Sequence, residues 1–226
     1  MNNKKKYLKE MEIDFWQSKK TAAVSCLAPA DVRSQVVADW PELERQVTIC
    51  TLCGLHKTRK KVVFGVGNKN AEVMFIGEAP GANEDLQGEP FVGRAGMLLN
   101  SMTQSIGLKR SDVYIANILK CRPPNNRDPE PQEVKLCTPY LERQIALIQP
   151  KILVAVGRIA AQFLLNTTES MGHLRGRTYK YGSQNIPLIV TYHPAYLLRS
   201  PSEKRKAYVD FLLIKRMIGE TAYKAV

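Results

Sequence analysis

The stretch AEVMFIGEAPG, residues 71–81, decides the architecture. Its first seven residues, Ala71 to Gly77, form a short apolar run of the kind that makes a strand buried on both faces. Its last four, Glu78-Ala79-Pro80-Gly81, put a carboxylate between glycines at the strand's carboxyl end. Glycine lets the backbone turn tightly and approach a ligand closely. Three further apolar runs repeat the strand pattern: Val113 to Ile118, Ile152 to Val156 and Pro187 to Thr191. Helical stretches separate them. Gly93 to Ile106 carries Met97, Leu98, Met102 and Ile106 at helical spacing, and Gly107 can end that helix. Glu130 to Gln149 reads as a long helix with Pro150 beyond it, and Gly157 to Leu165 as a shorter one. A helix is expected after Asp39, because Pro41 suits a first helical turn. Ser202 to Ile218 reads as a basic closing helix. Four strands alternating with helices predict an α/β protein whose parallel sheet is covered on both faces. Residues 1–35 are polar and weakly patterned, with a helical stretch around Tyr7 to Trp16, and are expected to be an N-terminal appendage to a domain spanning 36–226.

Lys and Arg outnumber Asp and Glu by 33 to 21, a net charge of +12 that favours polyanionic partners. No apolar run reaches the roughly 20 residues needed to span a bilayer. No apolar segment follows the early lysines, so no secretory signal is expected. These features point to a cytoplasmic protein without a membrane partner. In a reducing compartment, five cysteines are ligands or free thiols rather than disulfides.

In open parallel sheets, ligands bind outside the carboxyl ends of the strands. Three such ends carry chemistry here. The first bears Glu78, and a long loop from Asn83 to Gly96 follows it. The second ends near Asn117. The fourth runs into His193-Pro194-Ala195-Tyr196-Leu197-Leu198-Arg199. Taken singly, Glu78 could cap a loop, Asn117 could bond a turn and Phe91 could be core. Their convergence on one edge argues for a site. The cysteines form a second, independent pattern. Cys50 and Cys53 make a C-x-x-C pair, Cys121 follows the second strand, and Cys137 falls inside the long helix. Four such thiols suit a tetrahedral zinc or a cubane iron–sulfur cluster, and spacing alone leaves both open. Cys26 is a spare thiol on this reading.

The segments GEAPGANEDLQGEPFVGRAG, NILKCRPPNNRDP and HPAYLLR resemble the signature motifs of the family 4, iron–sulfur uracil-DNA glycosylases, in the right order from about Cys50 to about residue 215. The resemblance implies a three-layer α/β/α sandwich with a central four-stranded parallel sheet. It implies a [4Fe–4S] cluster held by Cys50, Cys53, Cys121 and Cys137. It implies a monomeric DNA repair enzyme that flips uracil from single- or double-stranded DNA and hydrolyses its N-glycosidic bond. Phe91 would then stack on the base, Asn117 read its edge, and Gly77, Glu78 and Ala79 line the pocket. Glu84 would crowd the C5 position and exclude thymine's methyl. Glu78 and His193 would be the catalytic pair, one serving the sugar cation or the attacking water and the other the departing base. Tyr196, Leu197 or Leu198 would wedge into the duplex. Arg199, Arg122, Arg127, Arg175 and Arg177 would meet phosphates.

Three alternatives fit the residues less well. Relatives that trap DNA covalently use a His in a loop inserted after the second strand, whereas Cys121 to Pro129 contains no His. A binding module with a metal staple leaves Glu78, Phe91, Asn117 and His193 unexplained. An electron carrier would need a second redox centre, and GVGNKN at Gly65 lacks the third glycine of a dinucleotide fingerprint.

Overall fold

The computed structural model describes residues 40–223, with side chains through 219; the expected appendage at residues 1–35, and Cys26 with it, lie outside them. The four anticipated strands form at β2 (Val73–Gly77), β3 (Tyr114–Asn117), β4 (Ile152–Val156) and β6 (Ile186–Thr191). They pair in parallel in the order β3-β2-β4-β6. The sheet is wider than four strands. β1 (Val66–Gly67) lies antiparallel on β3, and β5 (Thr178–Tyr181) antiparallel on β6, making a six-stranded sheet. Both additions escape the apolar-run criterion for the same reason. They are edge strands, one only two residues long and the other alternating between exposed and half-buried side chains.

Successive residues of the parallel strands point to opposite faces, and both faces are covered. Met74, Ile76, Leu153 and Ala155 pack with Leu141, Ile145 and Ala161 of α4 (Pro131–Ile148) and α5 (Arg158–Leu165). Val73, Phe75, Val154 and Val156 pack with Leu99, Phe211 and Ile214 of α3 (Arg94–Ser105) and α8 (Lys204–Tyr223). The three layers of the α/β/α sandwich follow from that alternation. At about 25 cal/mol per Å2 of apolar surface buried, this two-sided core is the main stabilising contribution.

Smaller helices sit where the sheet meets its loops: α1 (Trp40–Thr48), α2 (Ala82–Gln87), α6 (Met171–Leu174) and α7 (Pro194–Arg199). Helix α1 buries Leu43 and Val47 against Phe64 and delivers the chain to Cys50. The chain leaves β2 for β3 on one side and then crosses to β4 on the other. The crevice at this reversal is where parallel sheets bind ligands. Among the described residues, no helix is long and apolar enough to cross a membrane.

Candidate active site and four-cysteine pocket

A cleft of about 500 Å3 opens at that crevice, and Glu78, Phe91, Asn117 and His193 all line it. Its size falls within the roughly 300–1,000 Å3 typical of small-molecule sites. Gly77 ends β2 at the floor. A Cβ there would stand 2.4 Å from Asn117 Oδ1 and 2.8 Å from the Phe91 ring. Absence of a side chain at Gly77 is therefore what lets ring and amide meet. Asn117 is 2% exposed, and its Oδ1 has no hydrogen-bond partner among the described residues. Buried polar atoms are paired in all but a few cases, so an orphan acceptor in a cleft marks a place for a ligand's donor.

Phe91 sits in the left-handed region, at φ 53°. That conformation is disfavoured for a bulky side chain and persists only when its surroundings impose it. They do so from both sides. Arg110 donates from Nη2 to Pro90 O at 2.6 Å and from Nη1 to Phe91 O at 3.2 Å. Glu84, on α2, accepts at Oε1 from the amides of Val92 and Gly93, at 2.9 and 3.1 Å. A cation thus holds the loop's carbonyls and an anion its amides. From the helix that follows, Gly96 packs so closely on Phe91 that any Cβ would overlap its carbonyl.

His193 caps α7. Its Nδ1 accepts from the Ala195 amide at 3.1 Å, so the neutral ring carries its proton on Nε2. Burial of the ring, followed by the charge of Arg199, lowers its pKa to about 4 against the opposing influence of Glu84. At neutral pH His193 is an uncharged Nε2–H donor, its ring centroid 5.6 Å from that of Phe91. Gly157, at the end of β4, adopts φ 97°, and a Cβ there would come within 2.9 Å of His193 Cβ. Glu78 is half-buried. Desolvation, reinforced by nearby Asp128 and opposed by Arg158, raises its pKa to about 7. Asp128 and Arg158 themselves pair at 3.1 Å.

Behind this cleft, Cys50, Cys53, Cys121 and Cys137 are all free and line one pocket between α1, α4 and the segment after β3. Arg59 donates to Cys121 Sγ at 3.1 Å, and the Lys120 amide to Cys137 Sγ at 3.3 Å. Burial pushes the Cys137 thiol up to about 11 and the Cys121 thiol upward. Thiolates there need compensating positive charge, from a metal or from neighbouring cations. Among the described residues, no three Cys, His, Asp or Glu side chains gather in a way that could hold a metal ion.

The model of the uracil DNA glycosylase superfamily matches residues 64–215, which carry both the cleft and two of the four cysteines. The chain belongs to that superfamily. It is similar to the type-4 uracil-DNA glycosylase of Archaeoglobus fulgidus, with 46% identity over 79% of this chain and 93% of that protein. The type-4 uracil-DNA glycosylase of Saccharolobus solfataricus is 46% identical over 77% of this chain and 84% of that protein. That of Sulfurisphaera tokodaii is 44% identical over 78% and 83%.

Within this member of the superfamily, several residues expected to meet DNA are buried or already hold a partner. Leu197 is 1% exposed and packs inward beside Phe211, so it anchors α7 and is not presented as a wedge. Leu198, 36% exposed, is the apolar side chain that α7 presents outward. Arg127 lines the cleft but is held by both oxygens of Glu133, at 2.9 and 2.6 Å. Arg122 donates to Asn126 Oδ1 at 2.8 Å. Arg175 pairs with buried Asp210 at 2.8 Å and lies over the Tyr192 ring at 4.4 Å, which makes it part of the framework behind His193. Arg199 lines the cleft with no ion pair among the described residues. Glu84 lines the cleft, with its carboxylate engaged on the Phe91 loop. Sequence reading passed over Arg110, Asp128, Gly157 and Lys120. Arg110 carries no motif signal, and only the left-handed φ of Phe91 reveals why a cation is needed there.

Proposed function

We propose that this chain removes uracil from DNA by hydrolysing the N-glycosidic bond of a flipped nucleotide. The observation that carries this reading is the orphan Asn117 Oδ1, buried in a cleft that it shares with Phe91 and the neutral His193 donor. A base inside a duplex is out of reach, so it must rotate into a pocket. Phe91 then stacks on its face. The Asn117 amide presents an acceptor for uracil N3–H and a donor for O4. Cytosine reverses both, leaving two buried groups unpaired at about 1–3 kcal/mol each. Ala79 and the backbone after Gly77 close the pocket wall.

As the bond lengthens, positive charge grows on the sugar and negative charge on the base. His193 Nε2–H donates to uracil O2 and stabilises the departing anion without first having to lose a proton. Ionised Glu78 stabilises the sugar cation or orients the water, as carboxylates do in glycoside hydrolysis. The domain from residue 36 onward carries this machinery. Arg199, Arg122 and outward-facing Leu198 supply the grip on DNA.

The four-cysteine pocket suits a [4Fe–4S] cluster. Its lining offers four thiols and no carboxylate, and two of the thiols accept N–H···S bonds of the kind that tune clusters. A single zinc ion would draw four sulfurs to about 2.3 Å from one point, whereas a cubane takes one thiolate at each of its four irons. The cluster would brace the loops bearing these cysteines. The test is direct: purified brown protein is assayed for free uracil from oligonucleotides with single-stranded U, U·G, U·A and T·G. Release from the U substrates and none from T·G is expected; no release from any U substrate by iron-loaded protein would reject the function.

A further inference from the structure

Lys120 is the one lysine among the described residues that is fully buried, 1% exposed, and it directly precedes Cys121. Its Nζ donates to Asn117 O at 2.8 Å and to Gln144 Oε1 at 2.6 Å. Both acceptors are neutral, and no carboxylate pairs with Nζ among the described residues. A buried ammonium without an opposite charge is strongly disfavoured. Metal binding deprotonates cysteine ligands, so a cluster in the four-cysteine pocket would supply the negative charge; Lys120 helps to form the wall of that pocket, and its amide already contacts the Cys137 sulfur.

We propose that Lys120 is the counter-charge of the four-cysteine centre and, through the same ammonium, the positioning residue of the base-reading Asn117. The segment from Asn117 to Cys121 is a short tether between the two sites. Its amides at Ile118 and Leu119 donate to Gly77 O and Glu78 O, both at 3.0 Å, which carries the β2–β3 pairing past the end of the sheet. Nζ fastens the start of that tether at the Asn117 carbonyl, and the thiolate charge fastens Nζ. Gln144 is fixed in turn by donating to Phe64 O at 2.9 Å. A neutral side chain of equal length would fill the same space and hold neither end. This inference rests on the uracil-excision reading for its activity readout and on the iron–sulfur assignment for its spectroscopic one.

Two variants separate charge from hydrogen bond: Lys120→Met removes both, and Lys120→Gln keeps a donor without charge. Iron and sulfide per chain, the midpoint potential of the cluster and kcat and KM for uracil release are measured on each holoprotein. A buried cation favours the more negative, reduced state of a neighbouring cluster, so both variants are expected at more negative potentials than wild type. Loss of an outer-shell partner lowers activity by roughly 10–100-fold, so kcat is expected to fall by that much in Lys120→Met and to recover partly in Lys120→Gln. A wild-type potential in Lys120→Met overturns the counter-charge, and a wild-type kcat at full cluster occupancy overturns the positioning role. If neither variant retains the cluster, the wild-type protein decides. Stripping its iron should speed hydrogen exchange at the Ile118 and Leu119 amides while the central strands stay protected, and unchanged protection overturns the coupling. A wild-type protein that holds iron yet releases no uracil overturns the proposed function and leaves potential and exchange to judge Lys120.

Discussion

Asn117 has its main chain fastened by Lys120 and its side-chain oxygen left open to the cleft, a contrast that suits a group meant to read a ligand. Asn117→Asp turns the amide donor into an acceptor facing uracil O4. It is expected to lower kcat/KM for uracil release on the order of a hundredfold or more, as loss of an aimed donor does; activity near wild type would remove Asn117 from base reading. Gly77→Ala tests the same contact from the floor. Its methyl would stand 2.4 Å from Asn117 Oδ1, so the amide or the Phe91 ring must move. Overpacking of this kind costs about 1–3 kcal/mol, and the expected result is a lower Tm together with a loss of uracil affinity. Glu78 sets the pH profile. Its pKa is raised to about 7, so the carboxylate forms only as pH rises through that value, whereas His193, lowered to about 4, stays neutral throughout. The log of kcat/KM should therefore climb as pH rises from 5 toward 7 and level off above it, with the limb reporting the free enzyme. A flat profile across that window, at constant DNA affinity, would show that ionised Glu78 is not required.

At the scale of elements, the loop from Pro90 to Gly93 shows where sequence reading stops. The four parallel strands and the long helices were legible because their apolar periodicity is strong. The edge strands β1 and β5 were not, since one is two residues long and the other is largely solvated. Glu78, Phe91, Asn117 and His193 were legible as candidates because they sit in motifs at strand ends or in the loop after β2. Their mutual fit was not, because it depends on glycines 77, 96 and 157 admitting neighbours and on a phenylalanine in a conformation its own chemistry disfavours. Arg110 maintains that conformation from a distant turn, through two carbonyls and Asn100 Oδ1 at 3.2 Å. Arg110→Ala leaves those carbonyls without their charged donor, at a cost of about 1–3 kcal/mol. The released loop should let the Phe91 ring leave the cleft. A KM for uracil-containing DNA raised severalfold is expected, and Arg110→Lys should restore only part of it, since an ammonium lacks the fork that bridges both carbonyls. Wild-type KM in Arg110→Ala would show that the loop holds its shape unaided.

For the whole molecule, a net charge of +12 predicts attraction to DNA without saying which cations deliver it. The structure sorts them by what they already hold. Arg127 grips Glu133, a buried carboxylate, and Arg175 grips Asp210 under Tyr192. Arg199 lies at the rim of the cleft, with no ion pair among the described residues. A phosphate contact releases condensed counterions, so each one lost reduces the slope of log affinity against log salt by about 0.9 on duplex DNA and about 0.7 on single strands. Arg199→Ala should weaken binding to all sequences alike and lower that slope by about 1. Arg127→Ala should leave the slope in place and lower Tm instead, because removing Arg127 strands the Glu133 carboxylate. Measuring both variants by fluorescence anisotropy across a salt series, with thermal unfolding in parallel, sets the two assignments against each other. If Arg127→Ala alone reduces the slope, then DNA breaks the Arg127–Glu133 pair on binding, and the grip on phosphate lies on the Cys121–Pro129 side of the cleft rather than at α7.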